Sequence, residues 1–503
     1  MEKHLAAENP VNKKVLGHIK ATSEKELEKV YRKSEEAGKK WSRLSQKERT
    51  EKMESFRKVL AENRDKICET VRLDTGKSKA DAMVSEVLPT LTIMDYNERK
   101  VGEVVKTEKK STPLEFYKNK SYVEYTPFGT VAVISPWNYP FHLSVTPCAT
   151  ALITGNTVVL KISEKTPLTG ELLKNLVEES DLPENVLQIV QGDGSIGQRM
   201  VELSPDKVFF TGSTDTGKKV METASRNLVP VHLELGDKTP FIVLPDADLD
   251  KAAEACVYSA LTNTGQLCVS TEKVLVHERV YEEYVKKLVE ETEKVELNQE
   301  NGIGPMVDKE QKEKVLNQLK SSLEKGGELL TEIKGDGNFL SPQIVLDVGE
   351  DTELFKEETF GPVIPVKKFS SVKNCIKLVN SSKYGLNSYI FTENVEKGRE
   401  IASKLEVGNC YINGVVKNIA NPELPFGGVK KSGIGRYHGK EGLKEFVQSK
   451  SVMVNHNSKG EINRFSNLNS KAEAVSNYIE GVHVKEKFFD KVKGLLDLKK
   501  EMD

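Results

Sequence analysis

Lys207-Val208-Phe209-Phe210-Thr211-Gly212-Ser213-Thr214-Asp215-Thr216-Gly217 decides the fold of this chain. An apolar, β-rich run breaks at a turn of small residues into a helical stretch, and a strand feeding a helix is the repeating unit of a parallel sheet. Working outward, the same unit recurs. β-rich runs at 130–135, 157–162, 186–191 and 229–235 alternate with helical patterns, which predicts a doubly wound α/β sheet. A second α/β series runs from 241 to about 415, with long helical patterns around 248–261 and 280–295.

The flanks read differently. From 23 to 87 the pattern is helical: Ser45 and Glu48 form a capping box, and Met53, Phe56, Val59 and Leu60 recur on one face. Residues 113–127 alternate apolar and polar as a β-ribbon does. Residues 458–503 form a polar extension, partly helical, in which Phe488, Phe489, Val492, Leu495 and Leu496 share one helical face. That stripe favours packing on a partner subunit or the parent body over a membrane.

Composition narrows the function. The 503 residues are 37% hydrophobic and 30% charged with a net charge of −2, which gives no electrostatic case for nucleic acid. No apolar run approaches the roughly 18 residues that span a bilayer, and the start is too polar for a secretory signal. Six cysteines lack the spacing of a zinc site or a disulfide scaffold, so free thiols, a cytoplasmic location and no metal are expected. Gly76-Lys77-Ser78 resembles the end of a phosphate-binding loop, but Val71 occupies the place of its first glycine.

Three residue types carry chemistry jointly. Cys268 lies in Asn263-Thr264-Gly265-Gln266-Leu267-Cys268, Glu234 in Leu233-Glu234-Leu235-Gly236, and Asn138 in Ser135-Pro136-Trp137-Asn138-Tyr139-Pro140. Taken singly they read as a buried cysteine, a surface carboxylate and a turn former. Together they supply a thiol nucleophile, a general base and an amide donor for an oxyanion, the parts needed to oxidise an aldehyde through a thioester. Gly192-Asp193-Gly194-Ser195-Ile196-Gly197 and the Gly212 turn are rival pyrophosphate sites, and periodicity does not choose between them. Lys161 and Glu164 end a strand where a doubly wound sheet opens its crevice, and the carboxylate there suits a ribose hydroxyl and repels a 2′-phosphate.

The chain resembles the aldehyde dehydrogenase superfamily over roughly residues 20–455. The resemblance rests on Pro136-Trp137-Asn138, Lys161 with Glu164, Phe210-Thr211-Gly212-Ser213, Glu234-Leu235-Gly236, Gly265-Gln266 before Cys268, Glu358-Thr359-Phe360-Gly361-Pro362 and Pro425-Phe426-Gly427-Gly428. It implies a Rossmann-type NAD-binding domain (1–112 and 128–236), an α/β catalytic domain (237–436) and a small β oligomerisation element (113–127 and 437–457). It implies Cys268 as nucleophile, Asn138 and the Cys268 backbone N–H as oxyanion donors, and Glu234 as deacylation base. The cofactor is expected to be NAD, with NADP possible, held by Trp137, Lys161, Glu164, Gly212, Ser213, Gly217, Glu358 and Phe360. The glycines at 192–197 then become a turn near the adenine.

Tyr139, His142, Thr146 and Phe426 are expected at the substrate pocket. Semialdehyde-specific relatives place an arginine where this chain has Thr146, and Arg436-Tyr437-His438-Gly439-Lys440 resembles branches that act on aliphatic or aromatic aldehydes. An apolar aldehyde is therefore favoured over succinic semialdehyde. Glu234 argues against a coenzyme A-acylating enzyme, the ribose-binding residues against a cysteine esterase, and the intact Cys268 and Asn138 against an inactive structural relative. Segment 113–127 is expected to pair with a C-terminal strand at 448–455 in a homodimer or homotetramer. Asp237 stands where the family pattern has a second glycine, and its carboxylate is expected to raise the pKa of Glu234 or alter the turn.

Overall fold

The computed structural model describes residues 3–113, 119–456, 468–484 and 496. It divides into two compact units, 1–104 with 127–447 and 105–126 with 448–503.

The first unit contains two α/β sheets. One has six strands in the order Gly433–Ile434, Val231–Glu234, Lys207–Thr211, Thr130–Ile134, Thr157–Lys161 and Leu187–Val190. All neighbours are parallel except the edge pair formed by Gly433–Ile434 and Val231–Glu234. Successive strands move outward from Thr130–Ile134 to Leu187–Val190, and the chain then returns to build the other side from Lys207–Thr211. The strand order thus reverses between Thr130–Ile134 and Lys207–Thr211, where the loops leaving the two strands diverge and open a crevice.

The other sheet has seven strands in the order Glu328–Leu329, Gln343–Leu346, Val363–Phe369, Lys273–His277, Pro240–Val243, Tyr389–Phe391 and Tyr411–Ile412. Alternation along Pro240–Val243 feeds two cores at once. Phe241 and Val243 join Val274, Val276 and Ile364 on one face, while Ile242 and Leu244 join Leu275, Val345 and Val363 on the other. A strand buried on both faces is why the run reads as continuously apolar.

Helices cover the sheets, and their starts are set locally. Ser23 with Glu26 and Ser45 with Glu48 form capping boxes for Glu24–Trp41 and Gln46–Glu62. Met53, Phe56 and Leu60 are buried and Val59 half-buried. His4–Glu8 pairs with Val15–Lys20 as an antiparallel ribbon. Helix Gly439–Glu445 packs on the helices Leu88–Val104 and His142–Ile153, so residues 437–447 belong to the first unit.

The second unit holds a three-stranded sheet in the order Val447–Asn455, Asn119–Pro127 and Glu108–Lys110. The expected pairing of the ribbon with a C-terminal strand is present, although 114–118 lie outside the described residues. In the extension, Leu468–Ile479 is helical. Phe488, Phe489, Val492 and Leu495 of the expected stripe lie outside the described residues, and Leu496 is exposed. Among the described residues no helix is long and apolar enough to cross a membrane.

Phe241 is fully buried and stacks on Phe391, with centroids 4.7 Å apart and planes at 18°. Phe241→Ala is expected to lower the unfolding free energy by about 3–5 kcal/mol, read as a fall in the urea midpoint at unchanged slope.

Candidate active site

The C-terminal ends of the first sheet's strands carry the site. Thr130–Ile134 runs into Pro136, Trp137 and Asn138, Lys207–Thr211 into Gly212 and Ser213, and Glu234 is the last residue of Val231–Glu234. A cleft of about 170 Å³ lies among them, lined by Trp137, Asn138, Gly212, Ser213, Glu234, Cys268, Glu358, Phe360 and Phe426, together with Leu143, Leu386 and Tyr437. The nucleophile, base and amide proposed from sequence therefore share one cavity, although they come from different sheets and loops.

Cys268 is presented by a strained loop. Asn263, Thr264 and Gly265 all have left-handed backbone, with φ of 51°, 60° and 73°. Such conformations cost about 1–3 kcal/mol each for residues with a side chain and persist only when their surroundings hold them. Here Gln266 donates to Asn263 O at 3.0 Å and accepts from Val307 N at 2.8 Å, while Thr264 Oγ1 donates to Gly304 O at 2.9 Å. At Gly265 a Cβ would fall 2.3 Å from Gly361 O, so the glycine is required by space as well as by φ.

Asn138 is oriented from three sides. Its Nδ2 donates to Gln266 O at 3.0 Å, and its carbonyl accepts from Asn263 Nδ2 at 3.1 Å and Lys77 Nζ at 2.9 Å. A side-chain amide has two donor hydrogens, so one remains for a ligand. Lys77 is itself buried and paired with Glu86 at 2.7 Å.

Burial and like charge dominate the electrostatics. The Cys268 thiol is pushed well above its ordinary pKa by burial and then by Glu234, Glu358 and Asp237, while its own backbone N–H acts in the opposite direction. Burial also raises Glu234, opposed by His232, whose Nε2 lies 2.8 Å from Glu234 Oε1. Glu358 is raised to about 8, by burial first and then by the charge of Glu272.

The loop bearing Glu358 and Phe360 rests on a buried ion pair. Lys238 Nζ lies 2.8 Å from Glu272 and 2.9 Å from Thr359 Oγ1, and the Glu272 carboxylate accepts from the backbone N–H groups of Thr359 and Phe360, both at 2.7 Å. Phe360, at φ 58°, meets Trp137 edge to face with centroids 5.6 Å apart. Gly236 permits the approach of Glu358, since a Cβ there would fall 2.7 Å from Glu358 Oε2.

The two glycine turns differ in the charge of the residue that caps the helix start. At 192–197 the Asp193 carboxylate already accepts from Ser195 N at 2.9 Å and pairs with Lys3, placing an acid where a phosphate would sit. At the other turn the cap of helix Thr214–Ser225 is neutral Ser213, which borders the cleft. A larger depression of about 600 Å³ shares Ser213, Lys314 and Glu358 with the cleft and adds Lys218 and Lys431. Gly217 does not line the cleft but lets the helix close on Leu235, where a Cβ would fall 2.5 Å from Leu235 Cδ2. Lys161 and Glu164 also lie off the cleft, 3.3 Å apart, with Gly197 packed against the lysine stem.

Of the residues expected at the substrate pocket, three lie away from this cleft. Tyr139, His142 and Thr146 do not line the cleft. Tyr139 is buried beneath Lys77 Nζ, and His142 Nδ1 bonds Thr90 Oγ1 at 2.9 Å and Thr146 Oγ1 at 3.3 Å. Helix His142–Ile153 turns His142 and Thr146 toward its packing side and presents Leu143 to the cleft. Phe426 lines the cleft as expected, with Tyr437 beside it, their backbones paired in both directions. Leu143, Leu386, Gln311 and Lys314 carry no sequence motif that would have marked them, whereas Tyr437 lies in the 436–440 segment singled out above.

Asp237 also departs from expectation. The strongest influences on Glu234 are burial, His232, Arg436 and Glu445. The buried Asp237 carboxylate instead accepts from Leu386 N at 3.0 Å, Asn387 N at 3.2 Å and the hydroxyls of Thr239 and Ser432.

The sequence model of the aldehyde dehydrogenase family matches residues 1–452. The chain belongs to that family. This aldehyde dehydrogenase is 39% identical to the 4,4'-diapolycopene aldehyde oxidase of Methylomonas sp. over 90% of its own length and 86% of the relative's. It is 34% identical to the betaine aldehyde dehydrogenase of Vibrio vulnificus, over 89% and 93% of the two chains. Among solved structures, the NADP-dependent glyceraldehyde-3-phosphate dehydrogenase of Bacillus halodurans, complexed with NADP, superposes with a TM-score of 0.85 at 32% identity, covering 90% and 96% of the chains. The protein is thus an NAD(P)-dependent oxidoreductase acting on aldehydes.

Asp237→Ala in this dehydrogenase leaves two buried backbone N–H groups without acceptors. It is expected to lower the unfolding free energy by about 2–4 kcal/mol, measured by urea denaturation.

Proposed function

We propose that this dehydrogenase oxidises an apolar aldehyde to the carboxylic acid through a thioester on Cys268, with NAD as its preferred cofactor. The observation that carries the reading is the sharing of one cleft by Cys268, Asn138 and Glu234.

The Cys268 thiolate adds to the aldehyde carbon, forming the C–S bond. The free hydrogen of Asn138 Nδ2 and the Cys268 backbone N–H hold the resulting oxyanion. The bound oxidised nicotinamide supplies a cationic ring and the acceptor for the hydride. Once the carbon has lost its hydride, Cys268 carries a thioester. Glu234 then takes a proton from water as the water oxygen bonds the acyl carbon, and the C–S bond breaks.

The residues along the groove fit a dinucleotide. The neutral Ser213 cap at the start of a helix, with Gly212, suits a pyrophosphate. Glu358 suits the nicotinamide ribose, Trp137 and Phe360 would border the ring, and Lys161 with Glu164 would meet the adenine ribose. Glu164 favours NAD because its charge opposes a 2′-phosphate.

Leu143, Phe426 and Tyr437 form the apolar part of the cleft wall, and Lys314, a cation that also lines it, borders the larger depression together with Ser213 and Glu358. The relative named for a diapolycopene aldehyde, an apolar substrate, agrees with this apolar wall.

Cys268→Ala is expected to abolish NADH production, and Asn138→Ala to lower kcat by about 10²–10³-fold, both followed at 340 nm. An unchanged rate in either variant refutes the assignment. Hexanal and benzaldehyde are expected to give a higher kcat/KM than succinic semialdehyde, and NAD a higher kcat/KM than NADP. Coenzyme A is expected to leave the rates unchanged, and reversal of either preference overturns that part of the reading.

A further inference from the structure

His232 and Glu234 are two residues apart on one strand, so the pleat turns both side chains to the same face. His232 Nε2 lies 2.8 Å from Glu234 Oε1, with both side chains buried. The other ring nitrogen, Nδ1, stands 3.4 Å from Glu445 Oε1, and that oxygen accepts from Lys207 Nζ at 2.7 Å.

The ring is fixed in place. Phe209 stacks on it with centroids 4.5 Å and planes 11° apart, and Tyr437 meets it edge to face at 5.8 Å. At Gly435 a Cβ would fall 2.3 Å from His232 Nδ1, so the backbone there makes room for the imidazole. The series has a direction as well. The Glu234 side chain is 4% exposed and that of Glu445 22%, so it runs from the cleft toward solvent. Glu234 Oε2, in contrast, has no partner among the described residues.

We propose that His232 and Glu445 are positioning residues that hold Glu234, keep it ionised and carry its proton to the surface. This rests on the reading of Glu234 as the deacylation base. A carboxylate in a dry cleft pays heavily for its charge unless a cation is at hand, and a buried base must shed one proton per turnover. His232 answers both needs. When water attacks the thioester, its oxygen bonds the acyl carbon, its proton goes to Glu234, and sulfur leaves with the electron pair of the C–S bond. As Glu234 takes that proton, the imidazolium of His232 releases its Nδ1 proton to Glu445, which exchanges it with solvent, while the Nε2 hydrogen stays shared with Glu234, so the pair holds as many protons after the step as before. Nothing is oxidised or reduced in this step.

The charges around the pair agree. Burial lowers the basicity of His232, but the Glu234 and Glu445 carboxylates together outweigh burial and raise it above the ordinary imidazole value. Burial raises Glu234, and His232 is the strongest influence in the opposite direction, ahead of Arg436. The other titratable groups facing the pair are Lys207 on the neighbouring strand, Glu445 on its helix, Arg436, Tyr437 and His438 beyond Gly433–Ile434, and Cys268 across the cleft. The cations among them are Lys207 and Arg436, and neither has a hydrogen bond to Glu234 among the described residues.

The test compares H232Q and E445Q with wild type and E234Q, as full-length enzyme with NAD and hexanal, by stopped flow and steady state across pH. In H232Q, acylation is expected to survive as a burst of about one NADH per active site. A steady rate about 10–100-fold below wild type should follow. The acid limb of kcat is expected to move to higher pH, because removing the cation raises the pKa of a base that must be ionised. E445Q is expected to move both quantities the same way by less, and it carries the test alone if H232Q does not fold.

Wild-type rates and acid limb in both variants overturn the proposal, as does a slowed rate without a burst, which indicates a structural role only. E234Q separates the two readings. Should E234Q turn over as wild type, Glu234 is not the base. Should E234Q burst and stall while H232Q and E445Q behave as wild type, the base stands and the relay falls.

Discussion

The hydrogen bond from Asn138 Nδ2 to Gln266 O ties together what would otherwise be two separate half-sites. Asn138 rises from the crest of the six-stranded sheet, and Gln266 belongs to the loop that enters the seven-stranded sheet just before Lys273–His277. The reciprocal bond from Asn263 Nδ2 to Asn138 O and the buried Lys77 amine on the same carbonyl fix the joint from behind. Asn138 and Cys268, the proposed oxyanion donor and nucleophile, thereby keep one spacing although their strands belong to different sheets. Geometry held by two short polar contacts is what an oxyanion site requires, since its donors must be in place before charge develops.

Around that joint the protein accumulates negative charge at a cost. Glu234, Asp237, Glu272 and Glu358 are all inside the fold near the thiol. Each is answered differently: Glu272 by the Lys238 amine, Asp237 by backbone amides and hydroxyls, Glu234 by an imidazole, and Glu358 by the backbone N–H of Asp237. Glu234 and Glu358, which face the cleft, are the least neutralised. Buried carboxylates with spare hydrogen-bonding capacity are groups kept for a ligand or a proton.

Much of the architecture was legible because its signals are local. The β-rich runs at 130–135, 157–162 and 207–211 became strands to within a residue, and the helical patterns at 248–261 and 280–295 became Leu249–Leu261 and Tyr281–Thr292. The capping box at Ser45 formed because its two bonds lie within one turn. Gly433–Ile434 escaped notice, since two residues hold no periodicity and their pairing with Val231–Glu234 is fixed by tertiary contact. His232 carries no local signal of its place beside Glu234, because Glu445, the partner that gives it direction, lies far along the chain. Asp237 misled for a related reason. Its separation from Glu234 is short in sequence, yet its acceptor bonds reach Leu386 and Asn387, which no local pattern connects to it.

The left-handed run of Asn263, Thr264 and Gly265 has a consequence for the life of the molecule before it is finished. Those backbone angles are unfavourable on their own and are secured by residues that arrive much later in synthesis, including Gly304, Val307 and Gly361. A nascent chain therefore carries Cys268 as an unremarkable thiol on a floppy tether, with no amide poised to assist it. The geometry around Cys268 is therefore complete only when the second sheet is complete.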